Sequence, residues 1–121
     1  MFYSYDHGPV HVVVISTETN FTAGGKQWLW IDADLSAVDR AVTPFVIVSG
    51  HRPFYTSSLQ EDKVGAALIE HVQPLLLKHR VDVYLSGGGP LHASSRFAAL
   101  SCFAAYCDAQ VMCMRMNELA Y

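Results

Sequence analysis

The chain has 121 residues, 51% of them hydrophobic and 16% charged, which is one domain's worth of sequence with enough apolar material for a real core. A formal net charge of -3 and the absence of any Lys/Arg cluster argue against a general affinity for nucleic acid. So high an apolar share fits either a tightly packed α/β core or part of a larger domain with one face left uncovered.

The opening "MFYSYDHGPV" has no basic segment followed by an apolar stretch and a small-residue cleavage site, so no signal peptide is visible. "FYSYDHGPVHVVVIST" predicts two strands about a Gly8-Pro9 turn, the second running from His11 to Ile15 and apolar enough to be buried on both faces. "TETNFTAGGK" is a polar loop. Its Asn20-Phe21-Thr22 triplet has the form of a glycosylation sequon, a form that also arises often by chance. From Gln27 to Arg40, Trp28, Ile31, Leu35 and Val38 recur at helical spacing, with Asp32, Ser36 and Asp39 on another side.

Pro44 opens a β-rich run from Phe45 to Val48 that stops at Gly50. A second helix is expected from about Lys63, with Val64, Ala67, Leu68, His71 and Leu75 on one face. Pro74 must break it, because proline lacks an amide donor and crowds the preceding turn, so "PLLLKHR" becomes a separate short helix. "VDVYLSGGG" is the last clear strand. The order strand, helix, strand, helix, strand predicts an α/β sheet with some parallel pairing.

The tail is less informative. Phe97 to Cys107 is its most apolar segment, about half of the roughly 20 residues that a membrane span requires, so no membrane helix is expected. Cys102, Cys107 and Cys113 lack paired spacing and suit neither a disulfide framework nor a zinc site.

Ligand sites in α/β sheets lie beyond the carboxyl ends of strands, and His51 and Gly87 to Gly89 hold such places. Gly50 lets the chain turn at once, and an imidazole there can offer a neutral nitrogen to a transition metal. On spacing alone, a lone histidine is more often a capping or hydrogen-bonded residue than a ligand. His11 reads as a satisfied sheet residue, His71 and His79 belong to helices, and His7 and His92 fall in turns or loops. No HExxH, P-loop or nucleophile elbow is present.

Taken together, "FYSYDHGPVHVVVISTE", "QWLWIDADLSAVDRAVTPFVIVSGHRPFYTSS" and "VQPLLLKHRVDVYLSG" resemble the purple acid phosphatases, within the calcineurin-like metallophosphoesterases. The resemblance covers residues 1–89 and implies the C-terminal part of a catalytic domain. Residues 90–121 form a divergent tail, for which an altered reading frame or unspliced sequence would account. The fold implied is a partial metallophosphoesterase sandwich, about half of a two-sheet αββα domain.

The family carries its site on five motifs: GDxG, GDxxY, GNH followed by an acid, VxxH, and GHxH. Val48-Ser49-Gly50-His51 matches VxxH in full, which implies that His51 is a metal ligand. Where GHxH is expected, the chain has Gly87-Gly88-Gly89-Pro90, so Gly88 and Pro90 replace two ligating histidines. His92 stands two positions late. The first three motifs would lie before Met1.

The resemblance further implies phosphomonoester hydrolysis at a dinuclear centre of Fe with Zn, Mn or Fe. With one ligand position in place, the expectation is a chain inactive by itself, or a non-catalytic remnant that acts, if at all, through an exposed sheet or the Met/Cys-rich tail. The missing N-terminal half of the domain would be its packing partner. Family members are often secreted or vacuolar, although nothing in these residues directs export.

Overall fold

The sheet begins with a reversal that glycine makes easy. Gly8 has φ of +54°, in the left-handed region, and with Pro9 it folds β1 (Tyr3–His7) back along β2 (Val10–Val14). The pair is antiparallel and in register from Tyr3 opposite Val14 to His7 opposite Val10. The structure is a computed structural model that describes residues 1–55, 63–87 and the strand at 110–113. His92, Gly88 to Pro90 and most of the expected tail lie outside the described residues.

Helix α1 (Lys26–Ala37) joins β2 to β3 (Phe45–Gly50), and α2 (Lys63–His71) with α3 (Gln73–Lys78) joins β3 to β4 (Val83–Ser86). Strands β2, β3 and β4 are parallel, and the helices supply the long crossovers that parallel neighbours need. Strand β5 (Gln110–Cys113) adds antiparallel to β4, completing a sheet in the order β1-β2-β3-β4-β5. The sequence reading placed no strand beyond Ser86, so β5 is an addition.

Two helix ends show how local chemistry sets the boundaries. The first helix stops at Ala37, short of Arg40, because Asp39 organises a turn of its own. Its carboxylate accepts the Ala41 N–H at 2.9 Å, and its carbonyl accepts the Val42 and Thr43 N–H groups at 3.0 and 2.8 Å. Pro74 does break the second helix, and it sits in the first turn of α3.

Helix α3 ends in a Schellman motif: Val81 N–H reaches Leu76 O at 3.0 Å and Arg80 N–H reaches Leu77 O at 3.1 Å. Arg80, at φ +54°, holds the left-handed position that glycine usually takes there. Val81 and Leu76 are both buried, supplying the apolar contact that accompanies the motif.

Burial alternates along the strands. Val13, Val46, Val48 and Tyr84 are buried and share a cluster with Ile31 and Leu35 of α1, Leu68 of α2, and Leu75 and Leu76 of α3. The intervening Val12, Val14, Ile47, Val83 and Leu85 are half-buried, and Tyr3, Tyr5 and Phe45 stay 48%, 50% and 51% exposed. The helices therefore cover one face. The expectation that the second strand is buried on both faces is corrected: among the described residues its other face has no layer of its own.

Arg40 locks the crossovers at the far end. Its guanidinium donates to Pro44 O (2.9 Å), Asp82 Oδ2 (2.9 Å), His79 O (3.0 Å) and Arg80 O (2.6 Å). Asp82 Oδ2 also accepts the Val46 N–H at 2.8 Å, so one ion pair fixes the starts of β3 and β4 together. No helix among the described residues is long and apolar enough to cross a membrane.

Candidate functional site

Parallel β2, β3 and β4 bring their carboxyl ends to one edge, and that edge carries His51. The ladder between β2 and β3 extends one bond further, from Ile15 N–H to Ser49 O at 2.8 Å. After Gly50 the chain turns sharply and Arg52 is held on both sides. Its N–H donates to Thr17 Oγ1 at 3.2 Å, and its carbonyl accepts the Tyr84 hydroxyl at 2.8 Å. The turn bearing His51 is thus strung between the end of β2 and a side chain rising from β4.

Gly50 is required by that arrangement. A Cβ at this position would fall on the Tyr84 hydroxyl and lie 3.1 Å from Thr17 Cγ2. The Tyr84 ring is buried and tilts against Phe54 with centroids 4.4 Å apart. Burial also pushes the Tyr84 hydroxyl well above its ordinary range, so it stays a neutral donor.

The His51 ring is exposed at this edge. Beside it, Arg52 Nε donates to Glu18 Oε1 at 2.8 Å. That hydrogen bond holds the Glu18 carboxyl below the usual carboxylate range, and the charges of Arg52 and His51 add to the effect. Glu18 is therefore the carboxylate nearest in role to a second ligand, but it is engaged by a guanidinium.

Other polar residues, near the motif and at the opposite end of the sheet, also have structural partners. Tyr55 and Gln73 exchange hydrogen bonds, with Gln73 Nε2 donating to the Tyr55 hydroxyl at 2.9 Å. Asp6 faces His11, and His79 Nε2 lies 2.6 Å from Asp32 Oδ1. His11 is the satisfied sheet residue expected. Gly87 follows β4 at the same edge as His51, and Gly88 and Pro90 lie outside the described residues.

A hydrolytic metal normally takes about three protein ligands. Among the described residues, no group of three or more His, Cys, Asp or Glu side chains is placed to hold an ion. Among the described residues, His51 and an occupied Glu18 do not fit a dinuclear centre. Glu18, Thr17 and Tyr84 were missed by sequence reasoning. The only signal available for Glu18 was its place just past the end of a strand parallel to β3.

The chain is thus an open, mixed α/β sheet whose three central strands are parallel, with a histidine turn at their carboxyl edge. No family model matches the chain. Probable inactive purple acid phosphatase 9 of Arabidopsis thaliana is 48% identical over 103 residues, covering 84% of this chain and 16% of that protein. Purple acid phosphatase 22 of Arabidopsis thaliana is 38% identical over 80% of this chain and 22% of its own length. Acid phosphatase A of Cryphonectria parasitica is 37% identical over 83% of this chain and 23% of its own length.

Among solved structures, purple acid phosphatase PPD1 from yellow lupin (Lupinus luteus) seeds superimposes with a TM-score of 0.56 at 30% identity. It covers 67% of this chain and 15% of that one. In sequence and in fold the chain is a relative of the purple acid phosphatases, as its motifs implied. It spans between 16% and 23% of these three curated relatives.

Proposed function

We propose that the chain is a portion of an acid phosphatase-like hydrolase and that it does not hydrolyse phosphomonoesters by itself. In the assembled protein His51 would offer an imidazole nitrogen to one ion of a dinuclear Fe, Zn or Mn centre, while the other ligands come from the rest of the domain. The donor set supports the reading that the chain alone is inactive. Among the described residues at the carboxyl edge, one exposed imidazole stands beside one carboxylate that is already paired, where each hydrolytic metal takes about three protein ligands.

The open face carries the packing half of the reading. Tyr3, Tyr5, Phe45 and the half-buried valines between them would be covered by the remainder of such a domain. Contiguous apolar surface of this kind marks a contact region.

The test is hydrolysis of p-nitrophenyl phosphate at acid pH, with Fe and Zn or Mn supplied to the purified chain. The expected rate equals that of metal and buffer alone. Turnover that disappears in His51→Ala would overturn inactivity and establish His51 as a ligand. A second reading, a non-catalytic protein of phosphatase descent, is favoured by the name of the 48% identical relative, which describes that protein as inactive. Adding the remaining domain of an active relative separates the two: recovered turnover supports the incomplete-hydrolase reading, and silence supports the non-catalytic one.

A further inference from the structure

At the opposite end of β2 from His51 lies a second polar cluster, which none of the phosphatase motifs includes. His11 Nδ1 is 2.6 Å from Asp6 Oδ1, and His11 Nε2 is 3.1 Å from Asp34 Oδ2. Asp34 Oδ1 in turn accepts the Ser4 hydroxyl at 2.6 Å. Asp6 and Ser4 belong to β1, His11 to β2 and Asp34 to α1, so the cluster ties the edge strand to the helix layer. β1 has β2 as its described neighbour, and its other edge is unpaired among the described residues.

Both ring nitrogens of His11 face carboxylate oxygens, which only accept hydrogen bonds. Satisfying both contacts takes two N–H groups, and only the imidazolium has them. A neutral ring turns one lone pair toward a carboxylate, and that contact is repulsive. The two carboxylates are not equivalent. Asp34 is 17% exposed and anchored by Ser4, whereas Asp6 is 61% exposed and free to swing into water.

We propose that His11 is a pH-operated clasp, which in its protonated form grips Asp6 and Asp34 together and fastens β1 to α1, and on losing its proton releases Asp6 and loosens β1. The charged groups facing the ring are Asp6 from β1 and Asp34 from α1; β3 places the apolar Val46 at the paired position. Burial alone would lower the proton affinity of His11, but hydrogen bonds to Asp6 and Asp34 and their charges outweigh it and raise the pKa above 6.5. A raised value in the folded state means that the clasp stabilises fully below 6.5 and is lost as pH rises through the folded value. The device is independent of the phosphatase reading, since it shares no residue with the His51 edge.

The test is amide hydrogen exchange of the full chain, expressed as protection factors for β1 and β3 across the imidazole range. Protection over Tyr3–His7 should be lost as pH rises while that of β3 holds. In His11→Gln the β1 protection should not vary with pH, and in Asp6→Asn, a change at an exposed side chain, the variation should shrink. His7→Gln should keep the full wild-type response, because His7 lies outside the cluster. Flat β1 protection in the wild-type chain, or an undiminished response in Asp6→Asn, would overturn the clasp.

Discussion

The hydroxyl of Tyr84 occupies the space that a side chain at Gly50 would need. Tyr84 reaches across from β4 to donate to Arg52 O at 2.8 Å, and it can pass only because residue 50 has no Cβ. Gly50→Ala should therefore destabilise the fold by about 1–3 kcal/mol, the usual cost of forcing extra atoms into a packed site. Tyr84→Phe removes the opposing oxygen, so the double variant should lose less than the sum of the two single losses. Urea denaturation of the four proteins decides the matter. Strict additivity would mean that the two positions do not compete for space.

A gain is expected at Arg80. An L residue in the left-handed region costs roughly 1–2 kcal/mol, part of which glycine gives back through its looser unfolded state. Arg80 is exposed, and its carbonyl bond to Arg40 survives the change. Arg80→Gly should raise stability by about 1 kcal/mol, read as a higher melting temperature.

Asp32 sets a limit on the acid side. Lys78 Nζ at 2.8 Å and His79 Nε2 at 2.6 Å both face its Oδ1, and these hydrogen bonds hold its carboxyl below 3.8. A lowered carboxylate stabilises above its unfolded value and loses that contribution as pH falls through the folded one. Melting temperature should decline below about pH 4 in the wild-type chain and decline less in Asp32→Asn. This slope is opposite in sign to that of the His11 clasp.

The open face predicts association. Tyr3, Tyr5 and Phe45 are about half exposed on one side of the sheet. Sedimentation velocity on the isolated chain should show concentration-dependent assembly, and Phe45→Ser should weaken it. A monomer unchanged with concentration would count against an uncovered contact face.

The parts of this fold that were legible in the sequence are those fixed by neighbours in the chain. Gly8-Pro9 announces the hairpin, Pro74 announces the break between α2 and α3, and the alternating apolar periods give the strand and helix order. The candidate site was only half legible. His51 is visible through the Val48-to-His51 motif, but Glu18 meets Arg52 across 34 positions and Tyr84 meets Arg52 across 32. No local spacing encodes such contacts; they exist only once parallel strands align their ends. The early end of α1 was missed for a local reason, since Asp39 competes with the helix for its own neighbours' amides.

The central proposal is that this chain by itself does not hold a metal pair at its His51 edge. Elemental analysis after incubation with Zn(II), Mn(II) or Fe(III) and exhaustive dialysis tests it most directly. The account predicts that no stoichiometric metal is retained, by the wild-type chain or by His51→Ala. Two ions held per wild-type chain and lost in His51→Ala would contradict it.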